Sequence, residues 1–284
     1  MISAADLRAD KPTWCPGCGD FAVLAALQRA LPRLGVPREN IVIVSGIGCS
    51  GKISSYIRAY GFHGVHGRTL PVATGIKTAN PELLVIAAGG DGDGYAIGVS
   101  HFIHAARRNI DVTYIVMDNH IYGLTTGQTS PTSPRGFKSK TTPAGAAEEP
   151  VDPLALALAA GAGFVAQGFS GEVGQLAAIC EQALRYKGFA LVNVISPCVS
   201  FNREYSYDWF REHLVDIDRE PGYDPHDYAT AVRYVTEHHG LLRGVIYVSD
   251  RPGYVESLVG TCRPVDVNWE EPKARWPELV AEFN

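Results

Sequence analysis

Two short apolar runs, each followed at once by glycines and polar residues, most constrain what this chain can fold into. The runs are Leu83 to Ala88 and Val112 to Met117, and the span Tyr95 to Arg108 between them has apolar residues at helical spacing. Uninterrupted apolar runs are typical of strands buried on both faces of a parallel sheet. The pattern predicts a β-α-β unit of an α/β fold, with ligand-binding loops at the carboxyl ends of both strands.

The loops after these runs carry the side chains of a predicted metal site. Asp91 and Asp93 stand among glycines in GGDGDG, and Asn119 follows the second run. Backbone N–H groups of glycines at a helix start favour a phosphate, which bare carboxylates would repel, and a divalent cation resolves that conflict. Carboxylate and amide oxygens suit Mg²⁺, which proteins often share with phosphates. We therefore predict a metal-bridged pyrophosphate site, with a plain Asp-Gly turn as the alternative.

Composition and charge narrow the class of protein. The chain has 284 residues, of which 46% are hydrophobic and 19% charged, as is ordinary for a globular protein of one large or two small domains. A net charge of −5 argues against a general nucleic-acid binder. The polar N-terminus lacks the apolar segment of a signal peptide, and no run is long enough to span a bilayer. We expect a cytoplasmic protein with no membrane partner.

The cysteines are expected to include metal ligands, because disulfides are rare in that compartment. Cys15 and Cys18 form C-x-x-C in a loop with proline and glycines, a spacing that grips one metal or cluster; a redox dithiol is the alternative. Cys49 and Cys198 each follow a strand-like apolar run. The four thiols together predict a tetrathiolate site built across the fold.

A glycine loop and a histidine add candidate ligand contacts. Residues Gly46 to Gly51 match the dinucleotide motif G-x-G-x-x-G, but no acidic residue to bind a ribose occurs between Glu39 and Glu82. We interpret the loop as a close backbone approach to another ligand. His66, in FHGVHGR, offers ring donors suited to an anion or a polar ring.

Other positions are expected to be structural. Asp20 is predicted to cap a helix that runs to about Leu34. Cys180 lies on an apolar helical face and is interpreted as a core residue. Cys262 has no metal-ligand pattern around it in the sequence and is also interpreted as structural.

A change in pattern after Ser200 suggests how the chain is divided. Residues 1–200 are expected to form the binding domain, and residues 201–284 an extension or arm that packs on that domain or on a partner. The long irregular segment from Ile121 to about Pro150 is of the kind that is generally functional or ordered by a partner.

The segments CPGCGD, GIGCSGK, FHGVHGR, GDGDG, DNHIYGLTTGQ and SPCVSFN, in this order, resemble the β subunit of the 2-oxoacid:ferredoxin oxidoreductases. These thiamine diphosphate enzymes oxidatively decarboxylate 2-oxoacids with coenzyme A. The resemblance covers about residues 12 to 205. It implies a diphosphate-type thiamine diphosphate-binding domain with a mostly parallel sheet flanked by helices, plus a C-terminal extension.

The same resemblance implies roles for individual residues. Mg²⁺ would be held by Asp91, Asn119 and the backbone carbonyl of Ile121, with Gly92 and Asp93 at the diphosphate. Further cofactor contacts would be Ile47, Gly48, Cys49, Ser50, His66, Gly123 and Leu124. One 4Fe–4S cluster would be bound by Cys15, Cys18, Cys49 and Cys198.

The resemblance also implies partners. The family activates its cofactor with a glutamate from a pyrimidine-binding domain that this length does not accommodate, so we expect a separate α subunit and an α₂β₂ assembly. The isolated chain should be inactive. Electrons would pass to ferredoxin, and the direction, oxidative decarboxylation or reductive CO₂ fixation, stays open.

Substrate choice depends on Leu124 and Lys52, which with His66 are the residues predicted to bear on catalysis. Pyruvate-specific relatives tend to carry asparagine where this chain has Leu124, so 2-oxoglutarate is favoured over pyruvate or a broad range of 2-oxoacids. Lys52 would pair with the distal substrate carboxylate, or else is a surface lysine.

Two other functions stay open: a zinc-stabilised binding subunit without catalysis, and a non-oxidative thiamine enzyme, against which four thiols near the cofactor loop count.

Overall fold

The protein is built around one eight-stranded sheet with helices on both faces. This computed structural model describes residues 2–257, 264–268 and 270–282. Its strands are β1 (Ile41–Ser45), β2 (Tyr60–His63), β3 (Leu84–Gly90), β4 (Val112–Asp118), β7 (Phe164–Phe169), β8 (Phe189–Ile195), β9 (Val215–Asp216) and β10 (Leu242–Val248), while β5 (Ile121–Tyr122) and β6 (Gln128–Thr129) form a separate hairpin. The helices are α1 (Asp20–Ala30), α2 (Thr69–Ala79), α3 (Val99–Arg108), α4 (Pro153–Ala159), α5 (Val173–Arg185), α6 (Tyr207–His213), α7 (Tyr228–Glu237) and α8 (Glu270–Ala281).

The strand order is β2-β1-β3-β4-β8-β7-β10-β9. From β1 the chain adds β2 on one side and β3 on the other, so the order of the strands reverses between β1 and β3. Strands β2, β1, β3, β4, β8 and β7 run parallel, and β10 pairs antiparallel with β7. The prediction of a mostly parallel α/β sheet is therefore confirmed. In such sheets a ligand binds in the crevice at the carboxyl ends of the strands, where the order reverses.

The core lies on both faces of the sheet because alternate side chains of each strand point to opposite sides. In β1, Ile41 and Ile43 join the cluster under α1 and α5, whereas Val42 and Val44 join the cluster under α2, α3, α4 and α7. Strands β1, β4 and β8 are buried along their whole length. Cys180 is fully buried in the first cluster, as expected of a core residue.

Two local predictions differ from the structure. Asp20 is the first residue of α1 and its side chain does not cap the helix, because its carboxylate bonds to other segments. The regular helix ends at Ala30, since Pro32 follows, and the chain continues to Leu34 as a 3₁₀ helix. After β3, the chain makes a π-helical turn over Gly92–Ile97 before α3 begins.

The residues after Ser200 extend the same sheet. Strand β10 pairs with β7, β9 pairs with β10, and α7 packs on the second core cluster. The extension therefore packs on the domain, while the boundary at residue 200 stays a prediction. Cys262 lies outside the described residues. Among the residues described, no helix has both the length and the apolar character needed to cross a membrane.

Candidate active site

The predicted cofactor residues come together at the carboxyl edge of the sheet. The loops that follow β1, β3 and β4 enclose a cavity of about 80 Å³. Its lining includes every residue predicted to contact the cofactor or Mg²⁺: Ile47, Gly48, Cys49, Ser50, His66, Asp91, Gly92, Asp93, Asn119, Ile121, Gly123 and Leu124. Tyr122 and Thr125, which sequence reasoning missed, also line it.

Asp93 joins segments of the fold around this cavity. Its Oδ1 accepts hydrogen bonds from the backbone N–H groups of Ile47 (3.1 Å) and Gly67 (2.8 Å), and its Oδ2 accepts one from Thr69 Oγ1 (3.3 Å). The carboxylate is buried and is already satisfied by these donors. Its observed role is to hold the β1 loop against the start of α2, and a contact of its backbone with a diphosphate stays a prediction.

Gly92 lies beneath an aromatic ring. Tyr122 Oη donates a hydrogen bond to the Gly92 carbonyl at 3.1 Å, and a Cβ atom built on Gly92 would lie 2.2 Å from the Tyr122 ring. No side chain fits in that gap. The loop approaches the ring this closely only because position 92 is glycine, and backbone N–H groups at this turn are thereby left near the cavity.

Asp91 and Asp118 share one hydroxyl group. Thr132 Oγ1 lies 2.8 Å from Asp91 Oδ2 and 2.8 Å from Asp118 Oδ1, and both carboxyl groups are buried. A hydroxyl has only one proton to donate, so it cannot satisfy both carboxylates at once. Burial, and after it the Asp118 carboxylate, raises the pKa of Asp91 to about 7. A bound cation would favour the ionised form of Asp91, so this buried carboxylate suits a hard metal ion.

Asn119 and His66 complete the cavity differently. The Asn119 side-chain oxygen accepts a hydrogen bond from the Ile121 backbone N–H at 3.0 Å, which shapes the turn after β4. His66 is partly exposed, and its buried Nδ1 has no hydrogen-bond partner, since Asp93 Oδ1 is 3.6 Å away. That unpartnered nitrogen belongs to a residue of the cavity lining, where a ligand would lie.

The four predicted cluster cysteines surround a second cavity. A space of about 190 Å³ is lined by Cys15, Cys18, Cys49 and Cys198. They come from the loop before α1 and the loops after β1 and β8. Within the described ranges, no group of three or more His, Cys, Asp or Glu side chains is arranged to hold a single metal ion. The sulfurs line the cavity wall, an arrangement that fits a cluster with several metal atoms.

The environment of Cys18 and Cys49 favours the protonated form of their thiols. Burial, followed by the Asp20 carboxylate, raises the pKa of Cys49 to about 11, and burial also raises the pKa of Cys18. Thiolates are the metal ligands, so loading of a cluster would release protons here.

Asp20 ties the cysteine-bearing segments together. Its Oδ1 accepts a hydrogen bond from Ser196 Oγ at 2.8 Å, and its Oδ2 accepts a weaker one from Ser50 Oγ at 3.5 Å. Ser50 adjoins Cys49, Ser196 precedes Cys198 by two residues, and Asp20 itself follows Cys18 by two. Burial raises the pKa of Asp20 to about 6. Sequence reasoning took Asp20 for a helix cap because the partner serines are distant in the chain.

The two cavities share a wall. Cys49, Asn119, Gly123 and Leu124 line both, and a Cβ atom built on Gly123 would lie 3.6 Å from Cys198 Sγ and 3.7 Å from Cys49 Sγ. We name the cavity that holds the predicted cofactor contacts the cofactor cavity, and the one lined by the four cysteines the cysteine cavity. A group in the cofactor cavity and a cluster in the cysteine cavity would therefore be separated by little more than backbone.

The residues predicted to bear on substrate choice lie at different places. Leu124 is exposed and lines both cavities, whereas Lys52 lines only the cysteine cavity and donates to Thr13 Oγ1 at 3.1 Å. Lys52 is close enough to Cys49 to lower its thiol pKa, against the larger effect of burial. Pairing of Lys52 with a substrate carboxylate stays a prediction.

Comparison with known protein families identifies two matched segments. Residues 46–194 match the family of thiamine pyrophosphate enzymes, C-terminal TPP binding domain. Residues 198–261 match the family described as the C terminal of the pyruvate ferredoxin oxidoreductase beta subunit. The first match alone covers more than half of the chain.

Individual relatives agree with these matches. The chain is 45% identical over 212 residues to subunit beta of 2-oxoacid:ferredoxin oxidoreductase 2 from Aeropyrum pernix, covering 75% of this chain and 69% of the relative. It is 46% identical over 208 residues to the 2-oxoglutarate oxidoreductase subunit KorB from Mycobacterium tuberculosis, covering 73% and 56%. A solved structure of 2-oxoglutarate:ferredoxin oxidoreductase from Magnetococcus marinus is similar with a TM-score of 0.88 and 37% identity, over 96% of this chain and 95% of that one.

Proposed function

Because the chain belongs to the family of 2-oxoacid:ferredoxin oxidoreductase β subunits, we propose that it binds thiamine diphosphate with Mg²⁺ and passes electrons from a 2-oxoacid through a 4Fe–4S cluster to ferredoxin. The proposed reaction converts the 2-oxoacid anion and coenzyme A to acyl-CoA and CO₂, and it releases one proton and two electrons, which leave singly. The proposal includes the reverse direction, in which CO₂ is fixed. The shared wall between the two cavities is the observation that carries it.

The residues of the cofactor cavity support the Mg²⁺ proposal. Asp91 offers a buried carboxylate, and Asn119 and Ile121 line the same cavity, where the amide oxygen and the backbone carbonyl would complete the set of ligands. Thr132 orients Asp91 through its hydroxyl. Thiamine diphosphate, when bound, would supply the electron sink for loss of CO₂, and this chain would supply the diphosphate anchor.

The cysteine cavity supports the cluster proposal. Four sulfurs from three separate loops line one space directly behind Gly123, which also lines the cofactor cavity. Electrons leaving the cofactor would cross only the backbone around Gly123. Neither a zinc-stabilised binding subunit nor a non-oxidative thiamine enzyme requires this adjacency.

The size of the cofactor cavity supports a partner subunit. About 80 Å³ is far below the roughly 300 Å³ at which pockets for whole small molecules begin. The cavity suits a metal ion and a diphosphate, and the rest of the cofactor would lie against an α subunit that carries the pyrimidine-binding domain. We propose a complex with an α subunit for this reason, and the α₂β₂ composition rests on the family resemblance.

We propose 2-oxoglutarate as the substrate, with pyruvate or a broader range of 2-oxoacids as the second candidate. The support is the similarity to relatives named for 2-oxoglutarate and the presence of Leu124 at the junction of the two cavities. Lys52 is proposed to contact the distal carboxylate once the α subunit has closed the site.

The test is a 2-oxoacid panel on the complex co-expressed with its α subunit and purified without oxygen. We expect viologen reduction that needs coenzyme A and is fastest with 2-oxoglutarate, and protein that contains iron and sulfide. Dialysis against a chelator should remove thiamine diphosphate and activity together, because Asp91 would hold the diphosphate through Mg²⁺. Zinc without iron or sulfide would refute the cluster, and faster turnover of pyruvate would refute the substrate.

A further inference from the structure

A third cavity, with a basic rim, adjoins the cysteine cavity. It has a volume of about 410 Å³, opens to the surface, and is lined by Lys138, Lys140 and Arg203, with Glu204 as the acidic residue of its wall. All three basic side chains are exposed. We call Lys138, Lys140 and Arg203 the basic patch.

The charges of the basic patch are not neutralised by the chain itself. Many exposed basic residues elsewhere form ion pairs, such as Arg33 with Glu181 and Arg211 with Asp208. Within residues 2–257, 264–268 and 270–282, no ion pair within 4.0 Å involves a member of the basic patch. The chain as a whole carries a net charge of −5. A local concentration of free positive charge on an acidic chain attracts an acidic partner.

The patch is placed next to the cysteines. Ser200 and Phe201 line both the basic cavity and the cysteine cavity. Phe201 follows Cys198 by three residues, so their Cα atoms are at most about 11 Å apart. Phe201 is 38% exposed. A redox centre carried to this surface would lie beside the cysteine cavity.

We propose that the basic patch and Phe201 form the docking surface for an acidic electron-carrier protein. The proposal rests on the proposed function and adds to it the face through which electrons leave. Lys138, Lys140 and Arg203 steer and orient the carrier, and Phe201 supplies an apolar contact beside the cysteine cavity. A cavity this open, rimmed by exposed basic side chains, suits a protein surface that need not bury any of these charges.

The test compares charge reversal at this patch with a matched reversal at the opposite edge of the sheet. The variant is Lys138→Glu with Lys140→Glu, and the control is Arg38→Glu with Arg108→Glu, two exposed positions near the amino ends of β1 and β4. Both are made in the complex with the α subunit. The readouts are kcat/KM for an acidic ferredoxin at several salt concentrations, viologen reduction, the KM for coenzyme A, and iron content.

We expect the patch variant to lower kcat/KM for ferredoxin about tenfold at low salt, with a difference that shrinks as salt screens the charges. Viologen reduction, the KM for coenzyme A and iron content should match the control. Equal ferredoxin kinetics in the two variants would overturn the docking surface while leaving the proposed function intact. A raised KM for coenzyme A with unchanged ferredoxin kinetics would overturn it in favour of a nucleotide site. If the unsubstituted complex reduces no acceptor, the proposed function and the docking surface fall together.

Discussion

At single positions beside the cofactor cavity, the available space decides which residue type can be present. A Cβ atom on Gly92 would lie 2.2 Å from the Tyr122 ring, and one on Gly46 would lie 2.0 Å from Asp93 Oδ2. Neither glycine has a positive φ, so backbone conformation does not require glycine at either position. Glycine is required there because two loops approach each other closely. Such positions are expected to tolerate no other residue while the loops keep this arrangement.

Gly92→Ala should therefore abolish retention of thiamine diphosphate in the presence of Mg²⁺, because the added methyl group displaces Tyr122 and the turn beside Asp91. The control is Gly75→Ala in α2, where a Cβ atom meets nothing within 4 Å. Cofactor that stays with the protein after desalting is the measurement, with the melting temperature of both variants alongside. Retention by the Gly92 variant at the level of the control would contradict the steric argument.

At the scale of elements, the site is assembled from the loops that follow parallel strands. The loop after β1 contributes Cys49 to both cavities, the loop after β8 contributes Cys198, and the loop after β4 passes between them at Gly123. Parallel strands end at one edge, so loops far apart in sequence meet there. Asp20 then fixes the spacing between them through Ser50 and Ser196.

Removal of one sulfur should affect the cluster and leave cofactor binding unchanged. Cys198→Ala in the αβ complex is expected to lose iron and viologen reduction but to keep thiamine diphosphate, because Cys198 does not line the cofactor cavity. Cys180→Ala is the control: this thiol is buried in the core on α5, and its loss should lower stability without changing iron content. Iron, sulfide and bound cofactor are measured on each variant. Unchanged viologen reduction after Cys198→Ala would count against the cluster.

For the whole molecule, the C-terminal part belongs to the sheet and not to a detached arm. Leu242 and Ile246 of β10 are fully buried, as are Ala231 and nearly all of Val235 on α7. Burial of each large aliphatic side chain contributes about 1.5–3 kcal/mol. The sum over these side chains is comparable with the roughly 5–15 kcal/mol by which a typical domain is stable.

A chain that ends after Ser200 should for this reason fail to fold cooperatively, since it exposes the edge of β7 and the face under α7. A chain that ends at Ser257 keeps β10 and should melt near the temperature of the full protein. Circular dichroism and thermal melting of the two chains, with size-exclusion chromatography, provide the comparison. Cooperative melting of the shorter chain at an unchanged temperature would instead establish residues 1–200 as an independent domain.

The sequence alone was sufficient for the class of fold and for bringing the predicted cofactor contacts to one cavity at the edge of the sheet. Continuous apolar runs specify strands buried on both faces, and the residues directly after such strands must lie at one edge of the sheet. Asp91 and Asn119 were therefore recognisable as neighbours from the sequence, and both line one cavity, as does Gly123, which the family resemblance implied. The family resemblance that rested on the same motifs is confirmed by relatives.

Only the tertiary structure decided how polar groups are paired. Asp20 has the sequence context of a helix cap, yet its carboxylate bonds to Ser196, which lies 176 residues away in the chain. Thr132 stands in an irregular segment with no motif, yet its hydroxyl lies between Asp91 and Asp118. Periodicity reports which face of an element is buried, because burial is an average over many contacts. A hydrogen bond depends on the position of two particular atoms, and no local pattern specifies which distant atom arrives.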